Sequence, residues 1–338
     1  MGARIAIRVD GSHQIGMGHV FRMVNLTMAL RKEGIDDITF YSRADRQVAR
    51  WLDEKDINLE LLELDGKIQP PINTMSKLHN VDLLINDLLD TSVDYMTEMS
   101  NADCCIVNFD DNGPGRFLAD CRINALPCKM ESQENGDSAR LYQGPDYLLL
   151  GEEFSRHTPI RTINRDPKSI LVTLGGSDTY GNILPVIAAL QRIDKLQQVD
   201  VIIGPAFRCQ DKLTEQLADD KRFTVQSSVP SIADIMRRHE LAVVGGGITL
   251  FEAAACALPT IAVASEDFER TNIEWGEARG ITRLAGDGQP ASADSIFDAA
   301  QNLLEDWGTR RRMSELGPRV IDGNGQRRIV GIIKELCR

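Results

Sequence analysis

The segment Arg4-Ile-Ala-Ile-Arg-Val-Asp-Gly-Ser-His-Gln-Ile-Gly-Met-Gly-His19 decides the fold. Its first part, up to Val9, is a short apolar run typical of a buried strand, and a turn rich in glycine and serine follows from Asp10 to Gly18. From His19 to about Arg31 the spacing predicts a helix. The predicted buried face of that helix comprises Val20, Met23, Val24, Leu26, Thr27 and Leu30.

The same order of elements returns in the second half of the chain. Ile170 to Leu174 predicts a strand, Gly175 to Asp178 a tight turn and Ile183 to Leu190 a helix. Short apolar runs that alternate with helical patterns indicate parallel sheets with crossover helices. We therefore predict an α/β protein made of two doubly wound, Rossmann-like domains that face a central cleft, with ligands at the carboxyl ends of the strands. The further apolar runs are Val81 to Ile85, Cys105 to Val107, Val199 to Ile203, Leu241 to Val244 and Thr260 to Ala264.

The length also predicts two domains, because 338 residues exceed the ~100–200 residues of one ordinary domain. We place an N-terminal domain at 1–160 and a C-terminal domain at 168–325. The polar stretch between them contains Pro159 and Pro167, as expected of a linker. Residues 326–338 predict a helix that packs back across the domain junction.

Composition excludes several classes of protein. The chain has 50 acidic and 38 basic residues, a net charge of -12 and no long basic run, so we expect no nucleic-acid partner. No apolar run approaches the ~20 residues of a membrane span, and we expect none. The start lacks a signal-peptide pattern and the seven cysteines form no C-x-x-C pair, which predicts a cytoplasmic protein. The five histidines form no metal-ligand pattern, and we predict neither metal nor cofactor.

The turn before His19 is the first candidate site. Gly16 and Gly18 let the backbone approach a ligand, and the helix that follows presents free N–H groups to an anion. The helix dipole favours a neutral imidazole at His19, which is what a general base needs, although a histidine there could also only cap or pack. G-x-G-H lacks the third glycine of the dinucleotide fingerprint, which disfavours NAD.

Charged residues at the ends of the first-half strands are further candidates. Asp10 and Asp87 could hold sugar hydroxyls or simply cap helices, and Asp110 and Asp111 present the same two alternatives. Arg8 and Arg22 are candidate cations of a binding site, with a solvated or structural role equally open for each.

In the second half, a glycine-rich turn precedes a helix. Gly246 and Gly247 could bind a diphosphate through backbone N–H groups, with the Thr249 hydroxyl as a further donor and Glu252 accepting from ribose hydroxyls. The alternative is a tight turn and an ordinary acidic residue near a helix N-terminus. Gly175, Gly176 and Ser177 form either a second phosphate-binding turn or a plain strand-to-helix turn.

Six segments, in the same order along the chain, resemble segments of a known protein family. The chain is similar to the nucleotide-sugar hydrolases of pseudaminic acid biosynthesis, which act on UDP-2,4-diacetamido-2,4,6-trideoxy-β-L-altropyranose, and to related spore-coat polysaccharide proteins. The last segment also resembles the UDP-sugar-binding half of the bacterial peptidoglycan N-acetylglucosaminyltransferase. The segments are Arg8 to His19, Asp82 to Asp87, Asn108 to Asp111, Gly144 to Phe154, Val172 to Asp178 and Gly245 to Pro259.

The resemblance implies a glycosyltransferase B architecture and metal-independent hydrolysis of a UDP-diacetamido-trideoxyhexose for nonulosonate surface glycans. His19 matches the proposed catalytic histidine, Glu252 the ribose-binding glutamate, and Gly246, Gly247 and Thr249 the diphosphate turn. Where relatives often place a sugar-facing Asn-Gln pair, this chain has Asp267 and Phe268, with Asn272 further on. It also has Gly151 where relatives often have Arg, and both departures bear on the choice of sugar.

Two alternative functions stay open. One is an inverting UDP-sugar glycosyltransferase, in which an acceptor hydroxyl replaces water. A lipid acceptor would call for an apolar or basic patch in the first domain, and the sequence shows none, since the run from Ile68 to Ile72 is short. The other is a non-catalytic nucleotide-sugar-binding protein, which would not need a base at His19.

Overall fold

A computed structural model describes residues 2–11, 17–43, 46–62, 81–131, 139–155, 161–176, 178–204, 207–227, 229 and 231–337. The chain divides into two compact units. The first unit comprises Met1–Ile15, His19–Glu152 and Asn324–Arg338, and the second comprises Gly16–Gly18 and Glu153–Gly323. Each unit is an α/β structure with its own sheet, as the sequence predicts.

Within the described residues, the first unit contains a sheet of seven strands, and every neighbouring pair is parallel. The strands are β1 (Ile5–Val9), β2 (Ile38–Ser42), β3 (Asn58–Leu61), β4 (Leu83–Asp87), β5 (Cys105–Phe109), β6 (Cys121–Asn124) and β7 (Arg140–Gln143). They lie in the order β3-β2-β1-β4-β5-β6-β7. The order reverses between β1 and β4, so the carboxyl ends of these two strands flank the position where such sheets bind ligands.

The helix after β1 confirms the predicted pattern. It runs over Gly18–Lys32, and all six residues of the predicted face are buried, together with Arg22. The other helices in the described residues of this unit are Arg46–Glu54, Val93–Met99 and Gly325–Leu336, with 3-10 turns at Pro114–Leu118, Pro127–Lys129, Pro145–Tyr147 and Glu152–Phe154.

The C-terminal helix predicted from residue 326 begins one residue earlier, at Gly325. It buries Ile329, Val330, Ile332 and Ile333 and contacts the turn Pro145–Tyr147 of the first unit. Gly325 allows a close approach, since a Cβ there would lie 2.2 Å from the carbonyl oxygen of Leu148.

The second unit contains a parallel sheet of six strands within its described residues. They are β8 (Ser169–Thr173), β9 (Gln198–Ile202), β10 (Phe223–Gln226), β11 (Leu241–Gly245), β12 (Thr260–Ala264) and β13 (Arg283–Asp287). Their order is β10-β9-β8-β11-β12-β13, so the reversal falls between β8 and β11. The helices are Ile183–Gln191, Gln210–Leu217, Ile232–Arg238, Ile248–Ala255, Asp267–Ala278, Ala293–Glu305 and Trp307–Val320.

Buried aliphatic side chains of this sheet and its helices form one large core, which includes Val172, Val201, Val243 and Leu190. No helix in the described part of the chain is long and apolar enough to cross a membrane.

Candidate functional site

His19 contacts a buried aspartate where the strand order of the first sheet reverses. His19 lies in the first turn of the helix after β1, and Asp87 is the last residue of β4. The Nδ1 atom of His19 is 2.6 Å from Oδ1 of Asp87. The Asp87 side chain is fully buried, whereas that of His19 is 20% exposed. The sequence places both residues at this edge but does not predict their contact.

Arg22, one helical turn after His19, also binds Asp87. Its Nε donates to Oδ2 at 2.6 Å, and its second terminal nitrogen donates to Oδ1. Burial raises the pKa of Asp87, but the charges and hydrogen bonds of Arg22 and His19 more than offset this and bring that pKa to about 2. Asp87 is therefore ionised at neutral pH.

The ionisation of Asp87 fixes the tautomer of His19. Nδ1 also lies 3.3 Å from a terminal nitrogen of Arg22, which can only donate, but the ionised carboxylate at 2.6 Å is the closer partner and has no proton to donate. The proton therefore lies on Nδ1, which donates to Asp87. In the neutral imidazole, Nε2 then carries the lone pair and can accept a proton. We refer to His19, Arg22, Asp87 and Asp110 as the His19 cluster.

Asp110 completes the His19 cluster from the end of β5. One of its carboxylate oxygens accepts from a terminal nitrogen of Arg22, and the other accepts from the backbone N–H of Leu126 at 3.0 Å. Burial lowers the pKa of Arg22, but attraction to Asp87 and Asp110 outweighs it and raises the pKa above its ordinary value. The Arg22 side chain is only 4% exposed. The structure thus places Arg22 and Asp87 in an internal ion pair, and a direct contact of either with substrate stays a prediction.

Asp10 is enclosed by two arginines. Arg8 donates to its two carboxylate oxygens at 2.5 and 2.8 Å, and Arg43 donates from its backbone N at 2.9 Å and from two side-chain nitrogens at 2.8 and 2.5 Å. Burial raises the pKa of Asp10, but the hydrogen bonds and charge of Arg8, with those of Arg43, bring it to about 2. The structure thus places Arg8 and Asp10 in an internal ion pair, and a direct contact of either residue with substrate stays a prediction.

Arg43, which follows β2 directly, was not predicted from the sequence. Since β2 pairs with β1 in the sheet, Arg43 comes next to the end of β1 and thus next to Asp10. An arginine directly after an apolar strand is the signal that could have identified it.

Asp111 organises a turn. Its carboxylate accepts from the backbone N–H of Thr91 at 2.9 Å and of Gly113 at 2.8 Å, and from the Asn108 amide at 2.7 Å. Asp111 thus binds backbone and amide groups, whereas Asp110 binds Arg22. These contacts favour a structural role for Asp111 over a contact with a sugar.

The glycine turn of the second unit follows β11. Gly246 is buried, and its carbonyl oxygen accepts from the Asn272 side chain at 3.1 Å. A Cβ on Gly246 would lie 2.7 Å from both the Cβ and the carbonyl oxygen of Glu269, so no larger residue fits without movement. Asn272 is fully buried and holds this turn in place, while its predicted contact with a sugar stays untested.

Gly247 is the N-cap residue of the helix Ile248–Ala255 and has no side chain to bind the first N–H groups, which also lack partners within the helix. Thr249 is half-buried in the first turn. Burial of the Glu252 carboxyl, together with the nearby charge of Glu153, raises its pKa to about 8. Free backbone donors and a protonated carboxyl thus lie along one short helix.

Glu269 is a second carboxyl near this turn, and the sequence analysis did not single it out. Its Oε2 accepts from the backbone N–H of Ser265 at 2.7 Å. Burial raises its pKa to about 7 despite that hydrogen bond, and the charges of Glu266 and Asp178 act in the same direction as burial.

The turn after β8 requires glycine at Gly175, where φ is +86°. Gly176 packs against Gly204, since a Cβ on Gly204 would lie 2.3 Å from the carbonyl oxygen of Gly176. Asp178 accepts from the backbone N–H groups of Asn182 and Ile183 at 2.8 and 3.0 Å and so caps the next helix. The predicted site residues Gly16 and Ser177 lie outside the described residues.

The first unit exposes four large apolar side chains that the sequence did not lead us to expect. Leu89, Val93, Phe117 and Leu118 are each about 39 to 50% exposed, and the helix Val93–Met99 contacts the turn Pro114–Leu118 that carries the last two. These four residues lie outside any long apolar run, so linear pattern alone did not reveal them. The run Ile68 to Ile72 lies outside the described residues.

Comparison with known proteins finds a family model and a relative that resemble the chain. A family model described as glycosyl transferases group 1 matches residues 158–320. The spore coat polysaccharide biosynthesis protein SpsG of Bacillus subtilis is 25% identical over 337 residues, which cover 98% of each chain.

Solved structures show the likeness of fold. A crystal structure of MurG from Acinetobacter baumannii covers 98% of this chain, with a TM-score of 0.66, 14% identity and 99% of its own chain matched. The UDP-GlcNAc 2-epimerase of Neisseria meningitidis, solved with UDP-GlcNAc bound, covers 98% with a TM-score of 0.64, 11% identity and 100% of its own chain matched. With its two parallel-sheet α/β domains, the chain has the glycosyltransferase B fold.

Proposed function

We propose that the protein hydrolyses a UDP-sugar, a UDP-diacetamido-trideoxyhexose of surface-glycan biosynthesis, with His19 as the general base. Water attacks the anomeric carbon, the bond from that carbon to the diphosphate oxygen breaks, and UDP leaves with the bonding pair. The contact of 2.6 Å between His19 and the ionised, buried Asp87 carries the proposal.

The contact suits proton transfer because it leaves Nε2 of His19 free to take the proton of the attacking water. The imidazolium that forms is then stabilised by the carboxylate of Asp87 on its other nitrogen. A positioned base of this kind contributes about 10²- to 10⁴-fold in rate.

The second unit supplies the proposed contacts to UDP. In this proposal the backbone N–H groups at Gly246 and Gly247 bind the diphosphate, with Thr249 as a further donor, and Glu252 accepts from the ribose hydroxyls. The buried glycine turn and the uncapped helix end support this assignment. The match to the glycosyl transferase model over 158–320 supports it as well.

The substrate class rests on two likenesses. The resemblance of six sequence segments to the pseudaminic acid hydrolases supports a diacetamido-trideoxyhexose. The similarity to SpsG along 98% of the chain supports a role in polysaccharide biosynthesis.

The test is the release of UDP from UDP-2,4-diacetamido-2,4,6-trideoxyhexoses without any acceptor and with EDTA present. We expect the native protein to release UDP and His19→Ala to lose about 10³-fold in rate while it still binds UDP. His239→Ala is the matched control, because His239 is a buried histidine of the second unit that pairs with Asp200 at 3.0 Å. It should lose stability but keep its turnover per folded molecule.

A glycosyltransferase is the second candidate, and the exposed apolar side chains of Leu89, Val93, Phe117 and Leu118 favour it. UDP release that begins only when an acceptor is added would establish it and overturn the hydrolase. A new sugar isomer still attached to UDP would instead indicate an epimerase, the activity of the Neisseria meningitidis neighbour.

A further inference from the structure

The carboxylate that orients His19 is itself fixed on both oxygens. Oδ1 of Asp87 accepts from His19 and from a terminal nitrogen of Arg22, and Oδ2 accepts from Nε of Arg22 at 2.6 Å. Because Asp87 is fully buried, the fork of Arg22 rather than solvent sets the plane of the carboxylate. The orientation of His19 therefore depends on Arg22.

Arg22 is in turn fixed by Asp110. The remaining terminal nitrogen of Arg22 donates to Asp110, and its guanidinium lies 6.0 Å from the centre of the Phe109 ring. Asp110 has a left-handed backbone with φ of 46°, held by its N–H donating to Ile123 and by Leu126 donating to its side chain, each at 3.0 Å. A residue in that conformation persists only where its surroundings determine it.

We infer that Arg22 and Asp110 are positioning residues that hold Asp87 against His19 and keep the proton of His19 on Nδ1. Charge alternates along the His19 cluster, from Asp87 to Arg22 to Asp110, so each ion orients the one before it. The effect on rate rests on the proposed function, whereas the effect on the tautomer does not.

The competing role for Arg22 is a direct contact with substrate. All three guanidinium nitrogens already donate to Asp87 or Asp110, and the side chain is only 4% exposed. A positioning role predicts a loss in kcat with little change in KM, and a substrate contact predicts a rise in KM.

The first experiment is ¹⁵N NMR of the histidine-labelled protein at neutral pH, with the His19 signals assigned from their loss in His19→Ala. The native imidazole should show the Nδ1–H tautomer. Arg22→Lys, which keeps the charge but loses the fork, and Asp110→Asn, which keeps an acceptor for Leu126 and tolerates φ > 0, should each admit a clear Nε2–H fraction.

Asp111→Asn is the matched control, because it removes a buried carboxylate of the same loop that has other partners. It should lower the melting temperature and leave the tautomer of His19 unchanged. If both Arg22→Lys and Asp110→Asn fold and retain a pure Nδ1–H signal, the inference is wrong. If only one of the two variants folds, a pure Nδ1–H signal in that variant is enough to overturn it.

Kinetics supply the second readout. We expect kcat for UDP release to fall about 100-fold in Arg22→Lys and about 10-fold in Asp110→Asn, with KM within about threefold of native. A raised KM at unchanged kcat would make Arg22 a substrate contact and overturn the inference. UDP release at the native rate by His19→Ala would instead refute the proposed function. The inference about the tautomer of His19 would then still be decided by the NMR experiment alone.

Discussion

The two sheets share the same type of strand order, but the carboxyl groups near the carboxyl ends of their strands differ in pKa. In the first unit, Asp10 and Asp87 are each bound by arginine, and the pKa of each carboxyl is about 2. In the described part of the second unit, Glu252 and Glu269 contact no arginine or lysine, and burial raises their pKa values to about 8 and about 7. One edge thus holds fixed anions, and the other holds two carboxyls whose pKa values lie at or above neutral pH.

The difference suits two different tasks. A fixed anion beside His19 costs no reorganisation when the imidazole takes a proton. A neutral carboxyl beside free backbone donors leaves a net attraction for a diphosphate, and it can still ionise when hydroxyl donors reach it. We therefore expect substitutions at the first edge to lower the rate of UDP release, and substitutions at the second edge to lower the affinity for UDP.

Asp87→Asn should have the largest effect. It removes the charge that stabilises the imidazolium and the acceptor that fixes Nδ1–H, so we expect UDP release to fall by about 10³-fold. Steady-state kinetics with Asp111→Asn as the control, which should stay within about threefold of native, measure this. Near-native turnover in Asp87→Asn would remove the distinction between the two edges.

Glu252→Gln should reduce the affinity for UDP by about 10- to 100-fold, because it loses a charged hydrogen-bond acceptor. Since the pKa of Glu252 is about 8 in the free protein, hydroxyl donors that favour the carboxylate must displace a proton at pH 7. Calorimetry in two buffers of different ionisation enthalpy should show proton release for the native protein and none for the variant. Proton uptake by the native protein would contradict the assignment of Glu252.

Gly246→Ala should lower the free energy of unfolding by about 1–3 kcal/mol, because the new Cβ would lie 2.7 Å from Glu269. Chemical denaturation measures the change. Gly331→Ala is the control: it lies in the helix Gly325–Leu336 with nothing within 4 Å of the added Cβ, and it should raise stability by about 0.5–1 kcal/mol. Equal effects of both substitutions would show that the turn at Gly246 is not tightly packed.

The two edges should respond to pH in opposite directions, with the smallest effects of the four. The lowered pKa values of Asp10 and Asp87 contribute stability above about pH 3.8 that is lost as pH falls toward 2. The pKa of Glu252 is raised from 4.5 to about 8, so between these values the unfolded chain loses the proton first and stability falls as pH rises. Glu269 acts in the same way up to about pH 7.

Thermal melts of Glu252→Gln and Glu269→Gln test this. Relative to native, each variant should gain a few degrees in melting temperature between pH 5 and pH 8. A difference that stays constant with pH would show that neither carboxyl carries a raised pKa.

The sequence predicted the elements better than their contacts. Apolar spacing from Val20 to Leu30 identified the buried face of the first helix, because burial on one face leaves a period that can be counted. Six strands escaped notice, because they are short and mix polar with apolar residues, which leaves a weak pattern. Four of them, β3, β7, β10 and β13, lie at sheet edges, whereas β2 and β6 lie inside the first sheet. Arg43 was missed with β2 for the same reason.

For the site, the sequence located the residues at strand ends but not their partners. It offered Asp87 and Arg22 as contacts to substrate, and the structure joins them to each other across 65 positions of the chain. Strand order decides which ends become neighbours, and the local pattern around each residue does not encode strand order. The raised pKa of Glu269 likewise depends on burial, which its position in a helix does not reveal.

The most direct test of the central claim is UDP release in ¹⁸O-labelled water, with mass analysis of the UDP. If water activated by His19 attacks the anomeric carbon, the released UDP contains no ¹⁸O and its formation depends on His19. Incorporation of ¹⁸O into the β-phosphate of UDP, or unlabelled UDP at the native rate from His19→Ala, would contradict it.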